Sequence, residues 1–328
     1  MRTLKPIPGC LAIAFLLVSC QAPTAALTPT MAPQSNPQTP TAILQATPTT
    51  EKSITAAKAA PTPTQVVATA TPTVYYTPTI TPTSTPDTRP LPNTWRQWPI
   101  VPTLSAKAME VYKKGVATGL DPHSFSRIGD CQSEPEVFMG IYDTPDRYYL
   151  DRQHQYLQAT IEQFSGAFSR VDMTARRGFG IASIFSPLMA DPKACNANET
   201  PLACEFRIHK PIMVVISMGT NWCVGCTRSF DEYLRKIVDY SIQNGVIPIL
   251  STKADNIEGD NSLNADVAKV AYDYDMPLWN FWAAVQYLPN HGLMEDNIYL
   301  TVEGWNERSF TGLMTLDAIW TKVKTNTP

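Results

Sequence analysis

The stretch Pro211 to Ser217 (PIMVVIS) decides the fold, because it is a continuous apolar run rich in β-branched residues. Such a run is typical of a strand that is buried on both faces of a sheet. Val246 to Leu250 (VIPIL) has the same character, and Phe230 to Ile242 between them spaces its apolar residues as an amphipathic helix does. Two buried strands separated by a helix of this length predict a right-handed βαβ unit in a parallel sheet.

The alternation of strands and helices continues on both sides of this unit. Further strands are predicted at Ser124 to Gly129 and Met276 to Phe281, and further helices at Asp151 to Phe164, Leu263 to Tyr272 and Phe310 to Val323. Together with the order of the motifs described below, the pattern predicts a three-layer α/β/α domain whose parallel sheet has the flavodoxin-like strand order. Chemistry in such sheets lies at the carboxyl ends of the strands. The residues that follow the strands there are Asp130-Cys131, Gly219-Thr220-Asn221 and Lys253-Ala254-Asp255.

The first part of the chain differs sharply from this domain in composition. Residues 21–94 contain 14 prolines, 21 threonines and no glycine. Such a segment cannot bury enough apolar area to offset the entropy of ordering it. We therefore expect a disordered Pro/Thr-rich stalk over residues 20–94 and a folded domain over residues 95–328. The 328-residue chain has a formal net charge of −3 and lacks basic clusters, which argues against nucleic acid as a partner.

A short apolar segment precedes the stalk. Arg2 and Lys5 are followed by Leu11 to Val18, a run too short to span a bilayer. The run ends in Leu-Val-Ser-Cys at residues 17–20, which resembles the lipobox of bacterial lipoprotein signal peptides. The resemblance implies that residues 1–19 are cleaved off and that Cys20 carries a lipid that anchors the protein to the outer face of the cell membrane. An ordinary secretory signal with an incidental cysteine is the alternative.

Export to an oxidising compartment determines how the other cysteines are interpreted. Apart from Cys10 and Cys20, the chain contains Cys131, Cys195, Cys204, Cys223 and Cys226. Cys195 and Cys204 flank a polar loop and are expected to pair, and Cys223 and Cys226 form a CxxC that can close on itself. Cys131 then stands outside both pairs. A zinc site made of the other four cysteines is the alternative, although the wide spacing of Cys195 and Cys204 disfavours it.

The residues at the predicted strand ends resemble the motifs of the SGNH (GDSL-like) hydrolase family. Ile128-Gly129-Asp130-Cys131 stands where the family has a strand and Gly-Asp-Ser, and Gly219-Thr220-Asn221-Trp222 stands where it has Gly-x-Asn-Asp. Gly178 or Gly180 in RRGFG matches the glycine of the second motif, and DNIY at residues 296–299 matches the C-terminal Asp-x-x-His. The resemblance implies an ester hydrolase site that contains Asp130, Cys131, Gly178, Asn221, Asp296 and Tyr299.

Two of these positions depart from the family. The serine position holds Cys131, whose thiol needs a partner to ionise, and the histidine position holds Tyr299, which is a poor base because its reference pKa is about 10. His291, just before Asp296, would replace the missing base if a loop brought it into the site; otherwise it is a surface histidine. Asp130 is expected to cap the first helix whether or not it takes part in catalysis.

These features predict a cell-surface hydrolase-like protein of the esterase or deacylase class, whose ligand is a surface glycan or a lipid ester and whose catalytic site is altered. A lipoprotein that binds such a ligand without turnover is one alternative. Another is a thiol oxidoreductase, because Trp222 to Cys226 (WCVGC) resembles the thioredoxin active site. Thioredoxin-like domains have a cis-proline after that motif, and residues 260–272 contain no proline. The membrane, through Cys20, is the expected partner, and neither a cofactor nor a resident metal is expected.

Overall fold

The computed structural model describes residues 87–325. The predicted signal peptide, Cys20 and most of the predicted stalk lie outside these residues. Contacts with the folded domain begin before the predicted boundary at residue 95. The Arg89 guanidinium donates a hydrogen bond of 2.8 Å to the carbonyl of Tyr272. The same guanidinium lies over the Tyr272 ring, 4.2 Å from the ring centre. Trp95 is buried in the core.

Four parallel strands form the sheet of the described part of the chain. They are β1 (Asp121–Gly129), β2 (Pro211–Ser217), β3 (Ile247–Ser251) and β4 (Leu278–Trp279), and they lie side by side in that order. A single parallel bridge between Gly129 and Ala175 adds a partner on the free side of β1. With that bridge counted as a minimal second strand, the order is the 2-1-3-4-5 order of the flavodoxin-like sheet.

Helices flank this sheet. They are α1 (Ala106–Ala117), α2 (Gln158–Gln163), α3 (Pro201–His209), α4 (Thr227–Gln243), α5 (Ser262–Tyr274), α6 (Phe281–Ala284) and α7 (Val302–Thr325). α4 and α5 pack against each other and against β3, while α7 packs against α2 and α6. The Trp279 indole in β4 donates a hydrogen bond of 3.2 Å to Thr311 in α7. The architecture is the predicted three-layer α/β/α fold. No helix within residues 87–325 has the length and apolar character needed to cross a membrane.

Two elements are shorter in the structure than predicted, whereas the last helix begins earlier, at Val302 instead of Phe310. The helix expected over Asp151 to Phe164 is confined to a short 3₁₀ turn and to α2. The strand expected over Met276 to Phe281 contains only two residues, because the chain turns at Asn280. The Asn280 side chain caps α6 by accepting from the Ala283 N–H and donates to the Trp95 carbonyl at 2.9 Å. An asparagine that satisfies a helix terminus ends the strand there.

Both predicted disulfides are present. Cys195 pairs with Cys204 and Cys223 pairs with Cys226, each with a Cα–Cα distance of 5.3 Å. The zinc site considered as an alternative is therefore wrong for this structure, because zinc binds cysteine as the thiolate and all four sulfurs are oxidised. Cys131 lies outside both disulfides and is buried.

The outer edge of β1 is covered by side chains rather than by a full strand. Arg170 donates to the carbonyl of Phe125, and the N–H of Arg127 donates to the Asp172 carboxylate at 3.2 Å. The Thr174 hydroxyl donates to the carbonyl of Arg127 at 2.6 Å. The backbone groups of every second residue of β1 are thus hydrogen-bonded to side chains of every second residue in the neighbouring segment, 170–174. This arrangement satisfies strand groups that would otherwise be buried without a partner.

Arg127 stands at the centre of this region, which we call the edge cluster and define as Arg127, Arg170, Asp172 and Glu205. Arg127 is fully buried, and its Nε lies 2.6 Å from Asp172 Oδ2. Its remaining N–H groups donate to backbone carbonyls, among them those of Phe138 at 3.1 Å and Phe168 at 2.7 Å. A buried guanidinium is tolerated only when a counter-charge and hydrogen bonds compensate its lost hydration, and here they do.

Candidate functional site

The candidate site lies where β1 and β2 end side by side. Gly129 and Ser217, the last residues of the two strands, are register partners. The segments with Cys131 and with Asn221 therefore leave the sheet at the same edge, as the family resemblance requires. A Cβ on Gly129 would lie 2.1 Å from the hydroxyl oxygen of Ser133. Only glycine permits the chain after β1 to turn back this closely.

Asp130 and Cys131 follow β1 directly and begin a short 3₁₀ helix. Asp130 caps it, as predicted, by accepting a hydrogen bond of 3.0 Å from the Gln132 N–H. Its other carboxylate oxygen accepts from the Thr220 N–H at 3.3 Å, which joins the segment after β1 to the segment after β2. Cys131 is only 7% exposed. Its sulfur is near enough to Arg308 for the two groups to interact electrostatically.

The second and third motifs meet through Phe179 and Gly180. The side chain of Asn221 donates a hydrogen bond of 2.9 Å to the Phe179 carbonyl. A Cβ built on Gly180 would lie 3.7 Å from the Asn221 carbonyl oxygen, whereas a Cβ on Gly178 would have no neighbour within 4 Å. Gly180, the alternative to Gly178, is thus the glycine beside Asn221. Gly178 has a φ of +82°, and it forms the turn that precedes Phe179 and Gly180.

The C-terminal motif approaches the first motif through its backbone. Asp296 is exposed, and its Oδ1 accepts from the N–H groups of Ile298 at 2.9 Å and Tyr299 at 3.0 Å. The carbonyl of Ile298 in turn accepts from the Gln132 side chain at 3.2 Å. Asp296 therefore shapes the turn that brings residues 298–299 beside the end of β1. Tyr299 is half-buried in this turn.

No histidine is hydrogen-bonded or ion-paired to Cys131 within residues 87–325. His291 is exposed in a left-handed backbone conformation with a φ of +53°, and its side chain forms neither kind of contact there. His123 lies near the start of β1 and His209 just before β2, both at the opposite end of the sheet. His154 pairs with Asp151 at 2.8 Å. The structure therefore assigns no histidine base to the thiol.

A group of buried charges lies beneath the strand ends, and only Asp130 among them belongs to the family motifs. We call it the strand-end cluster and define it as Asp130, Lys253, Asp255 and Arg308. Lys253 follows β3, and its Nζ lies 2.6 Å both from Asp255 Oδ1 and from Glu258 Oε2. Asp255 Oδ2 accepts from the Thr220 hydroxyl at 3.2 Å, while Thr220 also bonds Asp130. The segments after β1, β2 and β3 are thereby linked.

Arg308 enters this cluster from α7. Its guanidinium donates to the Gln132 carbonyl, to the Ser133 hydroxyl at 3.1 Å and to the Ser217 hydroxyl at 2.8 Å, and it lies 4.3 Å from the Phe138 ring centre. No carboxylate in residues 87–325 is within ion-pair distance of it. Burial lowers the pKa of Arg308 to about 10, with Asp130 and Cys131 opposing the shift.

The pKa of Asp130 shifts in the opposite direction. Burial raises it to about 6, against the lowering effects of the hydrogen bond from Gln132 and the charge of Arg308. Asp130 and Arg308 line a cavity of about 20 Å³ together with Gln132, Thr220 and Asp255. This volume holds about one water molecule. The cavity can therefore hydrate the buried charges.

Sequence reasoning missed Arg308, predicted Asp130 as a site residue from the motif resemblance, and identified Lys253 and Asp255 only as residues that follow a strand. Arg308 lies in α7 within a run of four polar residues at 306–309, and nothing local distinguishes it from a surface arginine. Its three acceptors come from residues 132, 133 and 217. The only available signal was that Lys253 and Asp255 share the carboxyl edge with Asp130.

Comparisons with known proteins give only distant likenesses. No protein-family model matches the chain, and no curated protein matches it. Among solved structures, TesA shares 15% identity over 59% of this chain and 98% of its own, with a TM-score of 0.38. LAE5, an alpha/beta hydrolase enzyme from the metagenome of Lake Arreo, Spain, shares 16% identity over 61% of this chain and 96% of its own, with a TM-score of 0.40. The fold assignment made above is based on the four parallel strands and their register, and not on these two likenesses.

Proposed function

We propose that this chain is an exported, lipid-anchored protein of the ester-hydrolase type whose catalytic site is altered, so that it binds an ester or glycan ligand and hydrolyses simple esters weakly or not at all. The register between Gly129 and Ser217 is the observation that carries the proposal. It brings the segments with Cys131 and Asn221 to one edge, which is the arrangement that a nucleophile and an oxyanion donor need.

The expected weakness follows from the group at the histidine position. A tyrosine can donate a hydrogen bond, but near neutral pH it does not accept the proton of a nucleophile, because its reference pKa is about 10. General-base help is typically worth about 10²–10⁴-fold in rate. Tyr299 would therefore leave the thiol of Cys131 without this contribution. Asn221 donates one amide hydrogen to the Phe179 carbonyl, so its second N–H is the one that would donate to an oxyanion.

The test is hydrolysis of a simple aryl ester by four proteins. We expect little turnover by the natural chain and an increase of up to about 10²–10⁴-fold when Cys131→Ser is combined with Tyr299→His. His291→Ala is the matched control, since an exposed histidine outside the site should not change the rate. Robust natural turnover that is lost in both Cys131→Ala and His291→Ala would replace the proposal with a Cys–His hydrolase. No turnover in the restored protein would favour the alternative, a purely ligand-binding lipoprotein.

The anchor is a separate part of the proposal and has its own test. Replacing Cys20 with Ala removes the sulfur that would carry the lipid, so the protein should move from the membrane fraction to the soluble fraction. Unchanged retention in membranes would contradict the lipid anchor. Arg308→Lys, which alters only the folded domain, is a control for changes in folding.

A second candidate function is thiol–disulfide exchange at Cys223 and Cys226. The observation in its favour is that Cys223 is exposed and that the pair directly precedes α4, where the helix dipole favours a thiolate. The cis-proline typical of thioredoxin-like domains has no counterpart, as residues 87–325 contain no cis peptide bond. We expect the mature chain, unfolded without reductant, to expose one thiol, that of Cys131. Three thiols, or catalysed reduction of insulin, would support the oxidoreductase.

A further inference from the structure

A second cleft lies on the part of the molecule formed by residues 142–165. Its volume is about 320 Å³, and its walls are formed by Tyr142, Asp143, Pro145, Tyr148, Gln158, Ile161, Glu162 and Ser165. None of these residues lines the cavity beneath the strand ends. The volume is at the lower limit of those that bind small organic ligands. The cleft is therefore large enough for a ligand of its own, and the proposed ester site does not include it.

Tyr142 is the residue that distinguishes this cleft from an ordinary surface depression. It is 6% exposed, and its ring packs edge-on against Phe168 and Tyr148, with centroid distances of 5.6 Å and 5.5 Å. Its hydroxyl forms no hydrogen bond within residues 87–325, yet the oxygen is not sealed inside the protein. A buried phenol normally has a hydrogen-bond partner. The Tyr142 hydroxyl therefore lacks a protein partner at a position where a ligand can supply one.

The other polar groups of the cleft are held in a defined row. The Tyr148 hydroxyl donates to Gln158 Oε1 at 3.0 Å, and Gln158 Nε2 donates to Glu162 Oε1 at 3.1 Å. These bonds fix the side chains before a ligand arrives, which reduces the entropic cost of binding. Ser165 adds a further hydroxyl to the wall.

The charges of the cleft exclude some classes of ligand. Its lining contains two carboxylates and no lysine or arginine, so an anionic ligand would be repelled. The Asp143 carboxylate already accepts from the Gly166 and Ser169 N–H groups, both at 2.7 Å. Its charge is thus partly compensated, which reduces its attraction for a cation. The groups that remain to bind a ligand are mostly neutral: phenols, an amide and a hydroxyl.

We propose that this cleft is a binding site for a neutral saccharide. The hydroxyl groups of a sugar both donate and accept hydrogen bonds, which matches a phenol without a partner, an amide and a carboxylate oxygen. The apolar face of a sugar ring can pack on Tyr148, since aromatic rings provide rigid apolar area beside a polar tip. This inference is independent of the proposed ester site.

The test is binding of the full chain, in detergent micelles, to an array of neutral, sialylated and phosphorylated oligosaccharides, followed by titration of the best ligand. We expect at least one neutral oligosaccharide to bind. Tyr142→Phe removes only the hydroxyl and should weaken binding by roughly threefold to tenfold, the effect of one neutral hydrogen bond. Tyr156→Phe is the matched control, because Tyr156 is exposed and does not line the cleft.

Two further variants test whether the ligand binds in this cleft. Tyr148→Ala should abolish saccharide binding with the fold intact by circular dichroism, whereas Arg228→Met, at an exposed residue outside both sites, should leave it unchanged. Binding of charged oligosaccharides only, binding of no neutral one, or equal binding by Tyr142→Phe and the natural chain would each overturn the inference.

Discussion

The edge cluster and the strand-end cluster both bury charge beside β1, but they differ in how completely that charge is paired. In the edge cluster Arg127 lies 2.6 Å from Asp172, and Glu205 accepts from Ser126 at 2.5 Å and from the Met173 N–H at 2.6 Å. In the strand-end cluster Arg308 has only neutral acceptors, and the side-chain oxygen of Gln132 has no hydrogen-bond partner.

The difference indicates different roles. A closed network of paired charges fixes a segment of chain in place and has no group left to bind a ligand. Each cluster contains an acid of raised pKa, but the strand-end cluster also keeps a cation without an ion pair and a small polar cavity at the edge of the sheet where ligands bind in such folds. Incomplete satisfaction of this kind is typical of functional sites. The predictions that follow test this distinction.

The largest effect is expected for Arg127→Met. The substitution removes the closer of the two arginines that pair with the buried Asp172, leaving only Arg170 at 3.2 Å, and it removes the donors to the Phe138 and Phe168 carbonyls. We expect a loss of about 3–5 kcal/mol in the free energy of unfolding, measured by urea denaturation. Arg228→Met is the control, because Arg228 forms only an exposed pair with Glu232 at 3.2 Å, worth about 0.5 kcal/mol at most. A loss below about 1 kcal/mol for Arg127→Met would show that the edge cluster is not a structural brace.

The second effect is a pH dependence caused by Asp130. Its pKa is about 6 in the folded chain and near 3.8 when unfolded, so its protonated form favours folding. This stabilisation is fully present below pH 3.8 and is lost as the pH rises through 6. The total loss is about 3 kcal/mol, from roughly two pKa units. Asp130→Asn should lack this decline, so its unfolding free energy relative to the natural chain should rise between pH 4 and pH 6.

Urea midpoints of both proteins at pH 4, 5, 6 and 7 measure this difference. Burial also raises the pKa of Glu205, with Asp172 adding to the shift, but that group titrates in both proteins and cancels in the comparison. Parallel pH profiles for the two proteins would contradict the raised pKa of Asp130.

A smaller loss is expected for Arg308→Met than for Arg127→Met. Arg308 has no ion pair to break, and the substitution leaves three neutral acceptors unsatisfied, so we expect about 1–3 kcal/mol. The loss of unfolding free energy that accompanies ionisation of Asp130 should also move to higher pH in this variant, because the charge of Arg308 lowers the Asp130 pKa. The same urea series on Arg308→Met measures both quantities. An effect as large as that of Arg127→Met would remove the distinction between the clusters.

The smallest effect is expected for Gln132→Met. The natural side chain donates to Thr220 and Ile298, both at 3.2 Å, but its oxygen is buried without a partner. Removing the unpaired oxygen offsets part of the two lost hydrogen bonds, so the net change should stay within about 1 kcal/mol. Ser126→Ala, beside the edge cluster, is the comparison, since it deprives the buried Glu205 of a donor. Gln132→Met should be the less destabilising of the two in a melting experiment.

The sequence predicted the sheet better than the polar clusters, and the reason is physical. The PIMVVIS strand was predicted with its observed bounds, Pro211 to Ser217, because full burial leaves an uninterrupted apolar run. The flavodoxin-like order was predicted from the alternation of strands and helices together with the order of the family motifs. The second strand of that order escaped prediction because its backbone pairs only at Ala175, while arginine, aspartate and threonine side chains replace the rest.

The candidate site was predictable only where chemistry follows a strand directly. Asp130, Cys131 and Asn221 could be located because the carboxyl ends of parallel strands meet at one edge. Arg308 could not, because its acceptors are 91 or more positions away along the chain. The sequence could not show that Gly180, and not Gly178, lies beside Asn221. The two glycines are two positions apart in a turn, and a sequence pattern does not resolve such a small difference.

The side chains that bond the outer edge of β1 also affect whether copies of the molecule can associate through their sheets. A sheet with an open border can recruit a strand from another chain, and aggregation then grows from that border. On this side, Arg170, Asp172 and Thr174 occupy the outward-facing groups of β1. At the other border, β4 is only two residues long. Neither border of the described sheet presents a long row of unpaired backbone groups to a strand from another chain. We therefore expect copies of the domain at high local concentration to stay separate instead of pairing their sheets.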